Sequence, residues 1–414
     1  MIKRVCVRNY RSLADVEVDL DRFTIMVGPN GSGKSNFVDA LSFLADCVTG
    51  GIDQAIRRRG GIDQVRRKGA RRPYDFGISV ELDRHIKVPV RKDRKHVMQE
   101  AGLSIAYSLD IKSESEAGFS IKQESCSIKG YPDAPDLSYS VKKGKFNLIS
   151  PREMLPEERE IGKDQLGLSY APMFHPVFRY VLRDLSGMRF YSLVPDHVRQ
   201  IHGPLSGEQL YRDGLNAAAV LRQIEKNNPG DHKEICEILS RAVPGIQKVK
   251  YKAVEQFETI EFIQDFEGGK KLAFNTLSMS DGTLRILGIL LAVYQVDVPS
   301  LLSIEEPEAT VHPGSSAVLL DALREAQKRT QVLITTHSPD LLDHKDISAE
   351  QIRYVENDHG ATVIHPIDPR SREMIRKRLY SAGELLREDK LKPDRSANSS
   401  SNCKTPNNPG EGKH

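Results

Sequence analysis

The chain has no tryptophan among its 414 residues, and aromatic side chains make up only 6% of it. It therefore offers no stacking platform of the kind that grips single-stranded nucleic acid. Its five cysteines, Cys6, Cys47, Cys126, Cys236 and Cys403, are scattered, and none stands in a C-x-x-C pair. That excludes a zinc knuckle and a disulfide framework, and a reduced, cytoplasmic setting is expected. No apolar run approaches the roughly 18 residues of a membrane span, and mean hydropathy is −0.44. No membrane partner is expected, and Met1–Val5 leads into a strand pattern with no leader features. An excess of one charge is missing as well: 60 Lys+Arg against 57 Asp+Glu leave a net +3. A uniformly basic nucleic-acid coat and an acidic disordered chain are both excluded, so any affinity for DNA must come from a local patch.

What is present is an alternation of patterns. Residues 2–7 and 16–20 alternate apolar and polar side chains as half-buried strands do. Residues 22–27 form a more continuous apolar run, like a central strand, and a helix pattern follows from Lys34 to about Asp46. From Phe76 to Ile149 short alternating runs predict antiparallel strands. Glu153 to Ala242 reads as mostly helical, Ala217–Glu225 most clearly, and strands are expected around Val249–Ala253 and Thr259–Phe266. Leu284 to Val355 has an α/β rhythm, and Ser371–Glu388 is expected to form a closing helix. The division that follows is an N-terminal lobe at 1–150, a helical insertion with strands at 151–270, a C-terminal lobe at 271–388 and a disordered tail at 389–414. A short repeat, Gly50-Gly51-Ile52-Asp53-Gln54 and Gly60-Gly61-Ile62-Asp63-Gln64, reads as two similar turns in one loop.

Four pieces carry chemistry. Gly28-Pro29-Asn30-Gly31-Ser32-Gly33-Lys34-Ser35 matches G-x-x-x-x-G-K-[ST] in full. Glycines let the backbone wrap a phosphate, and the helix that follows presents its positive end to the anion. Lys34 is expected on the β- and γ-phosphates and Ser35 on Mg²⁺. Leu301–Ile304 is an apolar strand ending in Glu305 and Glu306. Glu305 is assigned to hold Mg²⁺, and Glu306 to orient and deprotonate the attacking water. Val332–Thr336 is a second buried-looking strand, ending in His337, 31 positions after Glu306, with room for one crossover helix. His337 is placed to sense the γ-phosphate. Finally, Ser280-Asp281-Gly282 opens a strongly apolar helix, and a capped helix N-terminus is also what an anion site requires.

With these pieces in order, the chain resembles the ABC-type ATPase heads of the SMC and RecF group, and most of all the OLD-like AAA ATPases of bacterial defence systems. Arg8-Asn9-Tyr10-Arg11-Ser12-Leu13, Ser35-Asn36, Met279–Thr283, Ile304-Glu305-Glu306-Pro307-Glu308 with His312-Pro313, and Asp213-Gly214-Leu215-Asn216 carry the resemblance. It implies an α/β fold: an ABC-type P-loop head with a mixed sheet, an antiparallel β subdomain and a helical insertion. It implies ATP and Mg²⁺, with Asn36 joining the P-loop residues at the nucleotide. It also implies a homodimer in which Ser280, Asp281 and Gly282 of one head cap ATP held by Lys34 of the other. The sequence departs from the group in three ways. Glu305 stands where many relatives have Asp, the glutamine loop is not assignable, and no long heptad run fills the 270 positions between Lys34 and Glu305. With about 77 residues after His337 and no D-x-D cluster among them, a nuclease domain in this chain is not expected.

Arg57, Arg58, Arg59, Arg66, Arg67, Lys68, Arg71 and Arg72 crowd one segment. They are candidates for gripping DNA phosphates, for docking an acidic partner, or for plain solvation. Two main functions fit. The chain is either a defence ATPase controlling a separate effector nuclease or toxin, or a RecF-like repair mediator. A third, weaker reading is a scaffold that binds ATP and barely hydrolyses it.

Overall fold

Strand β1 (Ile2–Tyr10) turns back into β2 (Leu13–Asp19), and β3 (Phe23–Val27) follows and runs into the glycine-rich loop. The computed structural model describes the chain except residues 69–74, 93–94, 114–117, 133, 150–157, 267–268 and 397–414. Antiparallel strands come next: β4 (Phe76–Lys92), β5 (Lys95–Ser113), β6 (Phe119–Tyr131), β7 (Ala134–Lys142), β8 (Lys145–Ile149) and β9 (Glu158–Glu160). The later strands are β10 (Met188–Tyr191), β11 (Ile246–Val254), β12 (Phe257–Phe266), β13 (Lys270–Asn275), β14 (Leu301–Glu305), β15 (Gln331–Thr336), β16 (Ile352–Asp358) and β17 (Ala361–Pro366).

Fourteen of these form one mixed sheet in the order β10-β14-β15-β3-β16-β17-β2-β1-β4-β5-β6-β7-β8-β9, and β11-β12-β13 form a small antiparallel sheet. From β10 to β16 the strands run parallel; from β1 outward to β9 they pair antiparallel. The parallel strands are apolar on both sides because both faces are covered. Phe23, Ile25 and Val27 enter one core with Leu287, Leu290 and Ile334, while Met26 enters the other with Phe37, Leu41 and Tyr10. The helix Lys34–Gly50 thus packs on one face and the helix Asp281–Tyr294 on the other.

The structure corrects several expectations. The stretch read as mostly helical also contributes β10, which pairs in parallel with β14 at the sheet edge. A third strand, β13, completes the small sheet. The closing helix is two short ones, Pro369–Arg376 and Ala382–Arg387, the second started by a capping box at Ser381. The repeat forms two helices, Ile52–Arg57 and Ile62–Val65; each follows a glycine at positive φ and is anchored by a buried isoleucine. The expected tail begins too early at 389. Leu391 is buried, Asp368 N–H donates to Lys392 O and Asp394 N–H to Pro366 O, so 389–396 pack on the fold because one leucine finds a core site. The rest of that tail, with Cys403, lies outside the described residues. Cys47, Cys126 and Cys236 are buried free thiols.

Candidate functional site

The loop Gly28–Gly33 leaves the C-terminal end of β3. Gly31 and Gly33 have φ of 76° and 105°, which L side chains rarely adopt. A Cβ on Gly33 would lie 1.8 Å from Thr362 Oγ1, and one on Gly28 would lie 2.1 Å from Val355 O. The β16–β17 hairpin therefore braces the loop at a distance only glycine permits. Thr362 Oγ1 donates to Ser32 O at 3.0 Å and contacts Ser12 Oγ at 2.6 Å, while Asn36 Nδ2 donates to Ser12 Oγ at 2.6 Å. The N–H of Phe37 makes the first helical bond, to Gly33 O, so the N–H groups of Lys34–Asn36 have no intrahelical acceptor. Lys34 Nζ donates to Gly28 O at 2.8 Å and Pro29 O at 3.0 Å. Burial pushes its pKa below the usual lysine value, and the charges of Glu306 and Glu308 oppose that shift. This is a phosphate cradle with one ammonium at its mouth.

Parallel register brings the acidic strand to the same edge. Thr336 pairs with Val27 and Glu305 with Thr335, so the ends of β3, β15 and β14 lie abreast. The strand ending in Glu305 is separated from β3 by β15, so the strand ending at Thr336–His337, not the acidic one, is the direct neighbour of the P-loop strand. Ser35 and Glu305 line one cleft of about 890 Å³ with Asp39, Asp46, Arg189 and Arg212. A hydroxyl and a carboxylate are oxygen donors that suit Mg²⁺, so the residues present fit that ion. Arg212 Nη2 lies 3.4 Å from Glu305 Oε1 and must share the carboxylate with any cation bound there.

Glu306 has φ of 45°, in the left-handed region, and its N–H donates to Thr335 O at 3.0 Å. His337 Nδ1 lies 3.0 Å from Glu306 Oε1. Lys34, Glu306 and His337 thus converge at one edge of the sheet. Ser280, Asp281 and Gly282 do not join them by any bond among the described residues. Ser280 is exposed at the start of its helix, and its Oγ accepts from Thr283 N–H at 3.2 Å.

Sequence reasoning assigned no role to four residues here. Arg285, 8% exposed, donates through Nη2 to Glu305 O (3.1 Å) and Glu306 O (2.7 Å) and through Nη1 to Leu193 O (2.8 Å). A lone arginine inside a helix apolar all round was its available signal. Glu308 accepts from Thr336 Oγ1, its Oε2 is buried without a partner, and burial raises its pKa. Arg212 reaches Glu305 from a turn built by the motif after it. Gly214 has φ of 85°, and buried Asn216 accepts from Tyr211 N–H and donates to Ser206 O and Gln209 O. Arg199 binds Asp281 and Met279 O.

Much of the basic segment is engaged by neighbouring groups, with Arg59 buried and Arg57 and Arg58 left exposed. Arg59 pairs with Asp39 and Asp46, Arg58 with Asp46, Arg57 with Asp53 and Arg66 with Asp63. Arg67 Nη1 donates to Ser12 O and Lys68 Nζ to Gln64 Oε1. Acids of the helix Lys34–Gly50 neutralise Arg58 and Arg59, while Arg57 and Arg66 pair with acids three or four positions away. Arg71 and Arg72 lie outside the described residues. No helix among the described residues is long and apolar enough to cross a membrane.

Parts of the chain match known proteins. Residues 1–131 match a family model described as "AAA ATPase domain", and residues 188–343 match one described as "AAA domain, putative AbiEii toxin, Type IV TA system". An OLD nuclease of Thermus scotoductus is 24% identical over 374 residues, covering 88% of this chain and 63% of that protein. A chromosome partition protein Smc of Methanocaldococcus jannaschii is 43% identical over 44 residues, 10% of this chain and 4% of that one. The chain spans less than two thirds of the length of the curated relatives it matches. Among solved structures, an Smc head bound to the C-winged helix domain of ScpA aligns over 88% of this chain and 96% of that one, with TM-score 0.48 and 14% identity.

Proposed function

We propose that this chain, whose residues 1–131 and 188–343 match AAA domain models, binds and hydrolyses ATP as an SMC/RecF-like head pairing with a second copy of itself. The observation that carries this reading is the convergence of Lys34 and the 3.0 Å Glu306–His337 pair at the aligned ends of β3, β15 and β14. Each residue then has a role. The P-loop N–H groups and Lys34 hold the triphosphate. Ser35 and Glu305 hold Mg²⁺, which when bound offsets phosphate charge. Glu306 accepts the proton of the attacking water, a service worth roughly 10²–10⁴ in rate. His337, oriented through Nδ1 by Glu306, presents Nε2 toward the γ-phosphate. The turn Ser280-Asp281-Gly282 caps ATP bound by the second copy, since among the described residues it makes no hydrogen bond or ion pair with its own P-loop.

The head is proposed to regulate a separate effector, a nuclease or toxin, in bacterial anti-phage defence. The toxin-system description of the matched model and the nuclease name of the Thermus relative support this. DNA is proposed as the trigger that the head senses. ATP turnover by the full chain, measured against protein concentration and with and without duplex DNA, tests the reading. Turnover that rises with the square of concentration at low concentration supports the paired head. Absence of turnover at every concentration refutes hydrolysis, and loading of recombination proteins onto DNA junctions would favour the RecF-like mediator instead.

A further inference from the structure

Asp281 is the first residue of its helix, next to Ser280. A carboxylate there favours its own helix dipole, yet it would repel a phosphate arriving at the same turn. Its charge does not stand alone. Arg199, the last residue of the helix Pro195–Arg199, donates through Nη2 to Asp281 Oδ1 at 2.5 Å and to Met279 O at 3.2 Å, and through Nη1 to Asp196. Its own carbonyl is tied down by Thr276 Oγ1 at 2.8 Å. One guanidinium therefore grips the residue before Ser280 and the residue after it. The arginine side chain is 21% exposed and the aspartate 55%, so the cation is the more buried member and the anion faces outward. With its anion facing solvent the pair adds little to stability, so its main consequence is for the charge and geometry of the turn.

We propose that Arg199 is a positioning residue of the shared nucleotide site, neutralising Asp281 and holding Met279–Asp281 so that the turn accepts the γ-phosphate of ATP bound by a second copy of this chain. This rests on the paired-head reading above. Without the arginine, Asp281 faces a triphosphate uncompensated. With it, the turn keeps its helix-capping geometry and loses its repulsion.

The test uses the full chain carrying Glu306→Gln, so that ATP-bound pairs persist. ATP-driven pairing is measured by analytical ultracentrifugation at low and high salt, and nucleotide binding by fluorescence titration at concentrations where the chain is single. Arg199→Ala is expected to weaken ATP-driven pairing by about tenfold or more, with less loss at high salt and unchanged nucleotide binding. Arg199→Lys should retain most of the pairing. Adding Asp281→Asn to Arg199→Ala should restore pairing to within a few-fold of the parent, because the repulsion is gone. A double variant no better than Arg199→Ala would reduce Arg199 to scaffolding and overturn the proposal, as would an Arg199→Ala chain that pairs like its parent. If the parent itself never pairs with ATP, the paired-head reading fails, and this inference with it.

Discussion

Arg285→Met removes a buried cation whose bonds are all to carbonyls: Glu305 O, Glu306 O and Leu193 O. Hydrogen bonds from a charged donor are worth about 1.5–3 kcal/mol each, so three represent roughly 5–9 kcal/mol. Against this stands the cost of keeping a guanidinium out of water, several kcal/mol, which methionine does not incur. Burial also lowers the arginine's pKa, a sign of the same penalty. The net loss of stability should be about 2–4 kcal/mol, enough to lower the melting temperature and not enough to unfold the chain at 25 °C. Turnover should suffer more. Glu306 is held at φ 45°, a conformation costing roughly 1–3 kcal/mol that persists only when its surroundings enforce it. Two of the three lost bonds enforce it. Relaxation of that turn moves the carboxylate by an ångström or more, and a displacement of that size costs on the order of 10² in rate. We expect kcat to fall about 100-fold while nucleotide affinity changes little, because Lys34 and the P-loop are untouched. Calorimetry, steady-state turnover and nucleotide titration on one preparation separate these effects. A folded Arg285→Met chain with near-normal kcat, or one whose nucleotide affinity falls as far as its kcat, would refute the reasoning.

Lys34→Ala should abolish nucleotide binding or turnover, since the ammonium at the mouth of the loop is lost; normal ATPase activity in the folded variant would remove Lys34 from the site. Glu306→Gln should keep ATP binding and ATP-driven pairing and slow hydrolysis by roughly 10²–10⁴-fold. If Glu305→Gln stops turnover and Glu306→Gln does not, the two carboxylates have exchanged roles. Ser280→Arg should block pairing without preventing ATP binding at Lys34. Mixed with Lys34→Ala subunits it should regain partial activity, because one site of that heterodimer carries both lesions and the other neither. No recovery in proven heterodimers would count against a shared site.

The sequence determined on its own whatever depends on contiguous residues. The P-loop was legible because its glycines, lysine and serine are adjacent, and two of the glycines sit at positive φ. The strands ending at Glu305 and His337 were legible because strands buried on both faces read as apolar runs, and Ser280 because an N-cap is a local event. Tertiary structure alone decided which strand lies between β3 and β14, since neighbour order in a sheet is set by packing across many residues. It also decided the fate of charge. Arg57 and Arg66 meet acids three or four positions away, but Arg59 meets Asp39 and Asp46 from the helix Lys34–Gly50, and its side chain is only 6% exposed. Glu305 meets Arg212, and Asp281 meets Arg199, across more than 80 positions in each case. A charge written in a sequence carries no partner with it. Whether it becomes a free patch, a buried brace like Arg285 or the neutraliser of a phosphate-facing turn depends on what the fold brings within about 4 Å of it.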